Sequence, residues 1–135
     1  MDSYETLELT RPADGVAVLT LTRPRQRNAI TFQMFDEMHD LLAKVRADAD
    51  IRALIVTGEG EGFCAGLDLD DAEELPRMSA NEMMLGQEHW AGAFERFHDL
   101  PQAVAIGKKF ITTAIANSYR IKNHFALGPT PPRPG

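Results

Sequence analysis

Ala53-Leu54-Ile55-Val56-Thr57 leads, through Gly58-Glu59-Gly60-Glu61, into Gly62-Phe63-Cys64-Ala65-Gly66-Leu67-Asp68-Leu69. The first of these runs is short and apolar up to Thr57, the pattern of a strand covered on both faces. Glycines then interrupt it and an acidic segment begins at Asp68, so the order reads strand, glycine loop, helix start. The first turn of a helix leaves backbone N–H groups unpaired, and the aligned peptide dipoles favour an anionic group there. The junction can therefore hold an oxyanion, although a plain strand-to-helix connection has the same outline. A dinucleotide or phosphate loop fits poorly, because Glu59 and Glu61 would repel a pyrophosphate and no Gly-Lys-Ser/Thr follows.

Upstream, Met34/Phe35, Met38, Leu41/Leu42 and Val45 recur at three- and four-residue spacing behind Thr31, a good N-cap, and predict an amphipathic helix over Phe32 to Ala47. Before it, Tyr4 to Thr10 and Val16 to Thr22 read as two strands joined by an Asp14-Gly15 turn, a β-hairpin. The helix supplies the crossover that a strand parallel to the second hairpin strand requires. Hairpin, helix and buried strand together predict an α/β layer.

Downstream, Asp68 to Leu75 reads as a short acidic helix stopped by Pro76, and Ser79-Ala80-Asn81-Glu82 as a capping box opening a longer helix to about His98. Its Met83, Met84, Trp90, Phe94 and Phe97 stripe is most simply core packing. Ala103 to Ile106 suits a further short buried strand. Beyond it Phe110, Ile111, Ala114 and Ile115 fit helix and strand about equally, and the Pro-rich end from Gly128 sustains neither.

The 135 residues suffice for one compact domain, and 44% hydrophobic with 25% charged residues is ordinary for a soluble globular protein. No apolar run approaches the roughly 20 residues that cross a bilayer, and the first residues carry acid where a secretory signal carries base, so no membrane contact and a cytoplasmic location are expected. The net charge of −6 is unevenly spread: all 20 Asp and Glu lie at or before Asp99, whereas Lys108, Lys109, Arg120, Lys122 and Arg133 give the rest a basic character. Dispersed bases with no interleaved aromatics make a weak nucleic-acid footprint, and none is expected. Cys64 stands alone, which excludes an internal disulfide, and next to a helix start it reads as a small buried packing residue rather than a nucleophile. His39, His89, His98 and His124 show no metal-ligand spacing and read as solvent-facing or core-satisfied, and no metal site is expected.

With Arg23-Pro24-Arg25-Gln26-Arg27-Asn28-Ala29-Ile30 placed upstream, the Gly62–Leu69 segment resembles the enoyl-CoA hydratase/isomerase (crotonase) superfamily over roughly residues 4 to 102. The resemblance implies a crotonase-like ββα repeat layer and a coenzyme A thioester substrate whose enolate is stabilised by two backbone N–H groups. One is the N–H following Ala-Gly, here that of Leu67. By the same resemblance Arg25 and Arg27 lie near the coenzyme phosphates, with Arg23 beside them, and Ala29, Ala65, Gly66, Leu67, Asp68 and Leu69 line the adenine and pantetheine path. Coenzyme A would enter as part of the substrate, with no permanently bound cofactor.

The chain departs from the family pattern after Leu100-Pro101-Gln102. A single Gly107 stands where the family has a glycine-rich turn carrying the second N–H, and no Asp or Glu follows Asp99, so the known acid and base positions do not occur. Also missing are the C-terminal helices through which family members form trimers or hexamers. The expected organisation is therefore an incomplete half-domain over residues 1–102 with a divergent, basic, poorly ordered tail over 103–135, as a truncated or frameshifted product would show. The parent activity would be hydration or isomerisation of an enoyl-CoA, with this chain not fully active; the alternative is a non-catalytic acyl-CoA or partner-binding fragment.

Overall fold

A computed structural model describes residues 4–107 of the chain, so the expectations for the basic tail and His124 lie outside the described residues. Four strands, β1 (Leu7–Ala13), β2 (Val16–Leu21), β3 (Ala53–Gly58) and β4 (Ala103–Ile106), form one sheet in the order β1-β2-β3-β4. The β1–β2 pair is antiparallel and the two other pairs are parallel. Helix α1 (Phe32–Ala47) bridges β2 and β3, and α2 (Leu69–Ala72) and α3 (Ala80–His98) lie between β3 and β4. β4 pairs with β3 where a further short strand was expected, over Ala103 to Ile106, but only Ala105 of it is buried.

The side-chain alternation of the strands builds the core. Ala17, Leu19 and Leu21 of β2 and Leu54 and Val56 of β3 turn to one face, where Met34, Phe35, Met38, Leu41, Leu42 and Val45 of α1 pack against them. Val16, Val18 and Ile55 turn to the other face and form a second buried cluster. Burial on both faces explains the uninterrupted apolar run of β3. Thr31 caps α1 by accepting the Met34 N–H at 3.0 Å, as its sequence position indicates.

The hairpin turns at Asp14-Gly15, where Gly15 has φ +73° and a side chain would strike the Arg52 guanidinium. Its first strand starts later than Tyr4 and runs on to Ala13, with an irregularity between Thr10 and Ala13. Ahead of the strand, the chain bonds to α1 instead: Tyr4 donates to Asp40 at 2.6 Å, and the Thr6 N–H and hydroxyl both donate to Glu37.

Two further expectations need correction. The acidic helix after Asp68 closes after Ala72, and Pro76 sits inside a separate 3-10 turn, Leu75–Arg77, where its fixed φ is tolerated in the first turn. The capping box of α3 forms, yet the apolar stripe is only partly core: Ala93 is buried, Trp90 and Phe97 are half-buried, and Met84 and Phe94 are each 53% exposed. Trp90 stacks on Phe32 at 4.7 Å and Phe94 meets Phe35 edge-on, so α3 touches α1 along one margin and leaves the remaining face open. His39 and His89 lie toward solvent, in keeping with expectation, and are partnered there: their rings stack at 4.2 Å, His89 bonds Asp36 at 2.6 Å, and Arg96 donates to His39 Nδ1 at 2.7 Å. They staple α1 to α3.

Candidate functional site

Two loops, one after β2 and one after β3, meet at the sheet end and are tied together by Asn28. Arg27 and Asn28 both adopt the left-handed region, φ 53° and 56°, which non-glycine residues hold only when their surroundings enforce it. The enforcement is visible. Asn28 is fully buried, its Oδ1 accepts the Arg23 N–H at 2.9 Å, and its Nδ2 donates to the Glu59 carbonyl at 2.8 Å and the Gly62 carbonyl at 3.1 Å. The β3 loop passes so closely that a Cβ on Gly58 would lie 2.6 Å from Asn28 Nδ2 and 2.2 Å from the Phe63 carbonyl.

Held in this way, the two loops run side by side for a few residues. The Ala65 N–H donates to the Arg27 carbonyl at 3.0 Å, the Ile30 N–H to the Gly66 carbonyl at 2.7 Å, and the Asp68 N–H to the Ile30 carbonyl at 2.8 Å. Ile30 and Leu67 thus form an isolated parallel bridge. In a parallel ladder the residue facing such a pair turns its own N–H and C=O to the opposite side. Accordingly, the N–H groups of Gly66 and Leu67 have no acceptor among the described residues. Gly66 has φ +104°, and a Cβ there would meet nothing within 4 Å. The turn needs glycine for its conformation, and the space beside it is open.

Arg25 and Arg27 project, exposed, onto an open depression of about 630 Å³ shared with Pro24, Gly62, Phe63, Cys64 and Ala65 and with one acid, Glu61. Cys64 is half-buried rather than buried, since one side of it faces this depression. Leu67 is 36% and Leu69 81% exposed, while Ala29 is buried behind the loop. The structure therefore brings Arg25, Arg27 and Ala65 to one surface, sets the Gly66-Leu67 donors next along the chain, and places Ala29 in the wall behind.

Arg23 behaves differently from its two neighbours. Its guanidinium turns inward, donating to the Ala29 carbonyl and meeting the Asp68 carboxylate at 3.0 Å. Asp68, itself buried, also accepts the N–H groups of Asp70 and Asp71 as the N-cap of α2. The Asp71 N–H first, then the Arg23 guanidinium, holds the Asp68 carboxyl below the ordinary carboxylate range. Charge pattern alone could not separate Arg23 from Arg25, and nothing in the sequence marked Asn28 as the tie beyond the known tolerance of Asn for the left-handed region.

A larger groove, about 910 Å³, lies between β1 and α1 over Leu7, Leu9, Leu41 and Val45. Its cations are already engaged, Arg11 with Asp48 and Lys44 with Asp40 at 2.8 Å. Among the described residues no group of three or more His, Cys, Asp or Glu could hold a metal ion, and no helix is long and apolar enough to cross a membrane.

Comparison with known proteins agrees with the family resemblance of the sequence and with the fold. The sequence profile of the enoyl-CoA hydratase/isomerase family matches residues 11–104. The 1,2-epoxyphenylacetyl-CoA isomerase of Escherichia coli is 35% identical over 97 residues, 71% of this chain and 37% of the relative. Enoyl-CoA hydratase ACTT3 of Alternaria alternata is 39% identical over 71 residues, 52% of this chain and 24% of the relative. Among solved structures, Pseudomonas aeruginosa AtuE superposes with a TM-score of 0.69 at 34% identity, covering 76% of this chain and 39% of that one. The chain thus spans well under half the length of these relatives.

Proposed function

The chain belongs to the enoyl-CoA hydratase/isomerase family, and from that premise we propose that it binds an acyl-CoA thioester along the lip formed by the two joined loops. Arg25 and Arg27 meet the coenzyme phosphates, for which a guanidinium fork suits paired, charge-assisted hydrogen bonds. The Ala65 backbone, Gly66 and the start of α2 at Asp68-Leu69 flank the pantetheine arm, with Ala29 in the wall behind. The thioester oxygen then accepts the Leu67 N–H, the donor that lowers the energy of charge developing on that oxygen. One observation carries the reading: among the described residues the Gly66 and Leu67 N–H groups have no acceptor, and they follow in the chain directly on Ala65, which lines a depression with the exposed Arg25 and Arg27.

Binding and turnover separate in this proposal. Hydration or isomerisation also needs a positioned base and acid at Cα and Cβ. No Asp or Glu follows Asp99, so the carboxylates of the family mechanism have no counterpart in this chain, and we assign it binding without full turnover. The experiment is calorimetric titration of the 135-residue chain with a short enoyl-CoA, alongside an absorbance assay for loss of the double bond. Saturable binding with no hydration supports the reading. Failure to bind removes it, and turnover at ordinary enzyme rates, of order 10 per second, removes the separation.

A further inference from the structure

Leu67 is bracketed by two anchors. On one side the Gly66 carbonyl is held by the Ile30 N–H, and on the other Asp68 is held three ways: its N–H donates to the Ile30 carbonyl, its Oδ1 accepts from Asp70 and Asp71 at 3.0 and 3.2 Å, and its Oδ2 meets Arg23 at 3.0 Å. Arg23 is itself fixed, since its N–H donates to Asn28 and its guanidinium also donates to the Ala29 carbonyl. The side chains of Arg23 and Asp68 are only 18% and 11% exposed. A largely desolvated ion pair with every remaining bond directed at backbone holds its neighbours in one geometry. The Leu67 N–H lies in the peptide plane of the Gly66 C=O, which the Ile30 N–H holds, and the next plane, of the Leu67 C=O and the Asp68 nitrogen, is held by Asp68; the two planes meet at the Leu67 Cα, so a shift of Asp68 reaches the donor through that one joint.

We infer that Arg23 and Asp68 are positioning residues whose inward-turned side chains aim the Leu67 N–H through the backbone and do not themselves touch the ligand. This rests on the binding reading above and adds a requirement to it. Arg23, although it belongs to the same basic cluster as Arg25 and Arg27, serves the oxyanion donor and not the phosphates. Its fork reaches the Ala29 carbonyl and Asp68 together, which the single ammonium of a lysine would not reproduce. Asparagine at 68 would keep the capping oxygen and a polar partner for Arg23, whereas alanine would keep neither.

The test uses the full chain and 3-phenylacryloyl-CoA, a conjugated thioester whose absorption band moves to longer wavelength when its carbonyl is polarised by a hydrogen bond. Asp68→Ala should lose most of the band shift at saturation, and its affinity for the thioester should fall by a larger factor than its affinity for free coenzyme A. Asp68→Asn should keep most of the shift, and Arg23→Lys should lose it. Asp68 is buried against Arg23 and caps α2, so Asp68→Ala should melt below the parent and Asp68→Asn between the two, and the band shifts are compared at a temperature at which every chain remains folded. If Asp68→Ala proves unfolded, Arg23→Lys provides the same contrast. A full shift in Asp68→Ala or in Arg23→Lys overturns the inference while leaving the binding reading intact. Asp68→Asn as impaired as Asp68→Ala also overturns it, by tying the effect to charge. No shift in the parent chain removes the binding reading, and this inference with it.

Discussion

Ile30 and Leu67 face one another across a single parallel bridge in which Ile30 makes both hydrogen bonds and Leu67, among the described residues, makes none. The loop after β2 thereby fixes the loop after β3 without consuming the Leu67 N–H. A donor that is rigid yet free is what an oxyanion site requires, because the cost of ordering it is met on folding rather than on binding.

Charge at the lip should divide by position. Arg25→Ala or Arg27→Ala should weaken coenzyme A binding by about 1.5–3 kcal/mol, the range for a hydrogen bond to a charged group. Arg11→Ala, in the groove between β1 and α1, should leave it unchanged. Calorimetric titration of the three variants checks this.

Gly66→Val should harm both folding and binding, through conformation and not through collision with the protein. At φ +104° a branched residue carries strain of order 1–3 kcal/mol. Its side chain would enter the open space beside the turn and obstruct the pantetheine arm. Urea unfolding reads the first effect and titration the second; a Gly66→Val chain that binds like the parent would place the ligand elsewhere.

Asn28→Ala should be among the more damaging single substitutions outside the apolar core. It removes three hydrogen bonds, leaves the Glu59 and Gly62 carbonyls short of a donor, and puts alanine in the left-handed region. A loss of about 2–4 kcal/mol is expected in urea denaturation. Asn28→Asp should recover little, since a carboxylate keeps the acceptor for the Arg23 N–H but turns its other oxygen against two carbonyls.

Acid should loosen the site in a defined direction. Because the folded Asp68 carboxyl lies below its ordinary value, the stability it contributes is fully present above about pH 3.9. It is lost as pH falls through the lower folded value. Asp40 and Asp48 are lowered too, mainly by Lys44 and Arg11 respectively, so the overall acid limb contains several groups. The difference between the parent and Asp68→Asn isolates one of them: thermal melts across the acid range should converge as the pH drops and separate as it rises.

Much of the fold was legible because periodicity and punctuation agree. Helix α1 and its Thr31 cap, the Asp14-Gly15 turn, the capping box of α3 and the buried strand β3 all follow from local sequence. The face that α3 leaves open was not legible, since Met84 and Phe94 have the same spacing whether or not anything covers them. At the site, the glycine turn and the exposed arginines could be read from residue type. The inward turn of Arg23 could not, because it depends on Asp68 standing 45 positions away in sequence. The stacked His39 and His89 pair was hidden for the same reason, as its partners lie on different helices.

The most direct test of the account is the backbone amide of Leu67, followed by nuclear magnetic resonance as a short acyl-CoA is added to the full chain and, in parallel, free coenzyme A. The account predicts that both ligands perturb the amides around Arg25 and Arg27, and that only the thioester gives a large downfield shift of the Leu67 amide proton. A Leu67 amide that is indifferent to the thioester, with perturbations confined to the groove between β1 and α1, would contradict it.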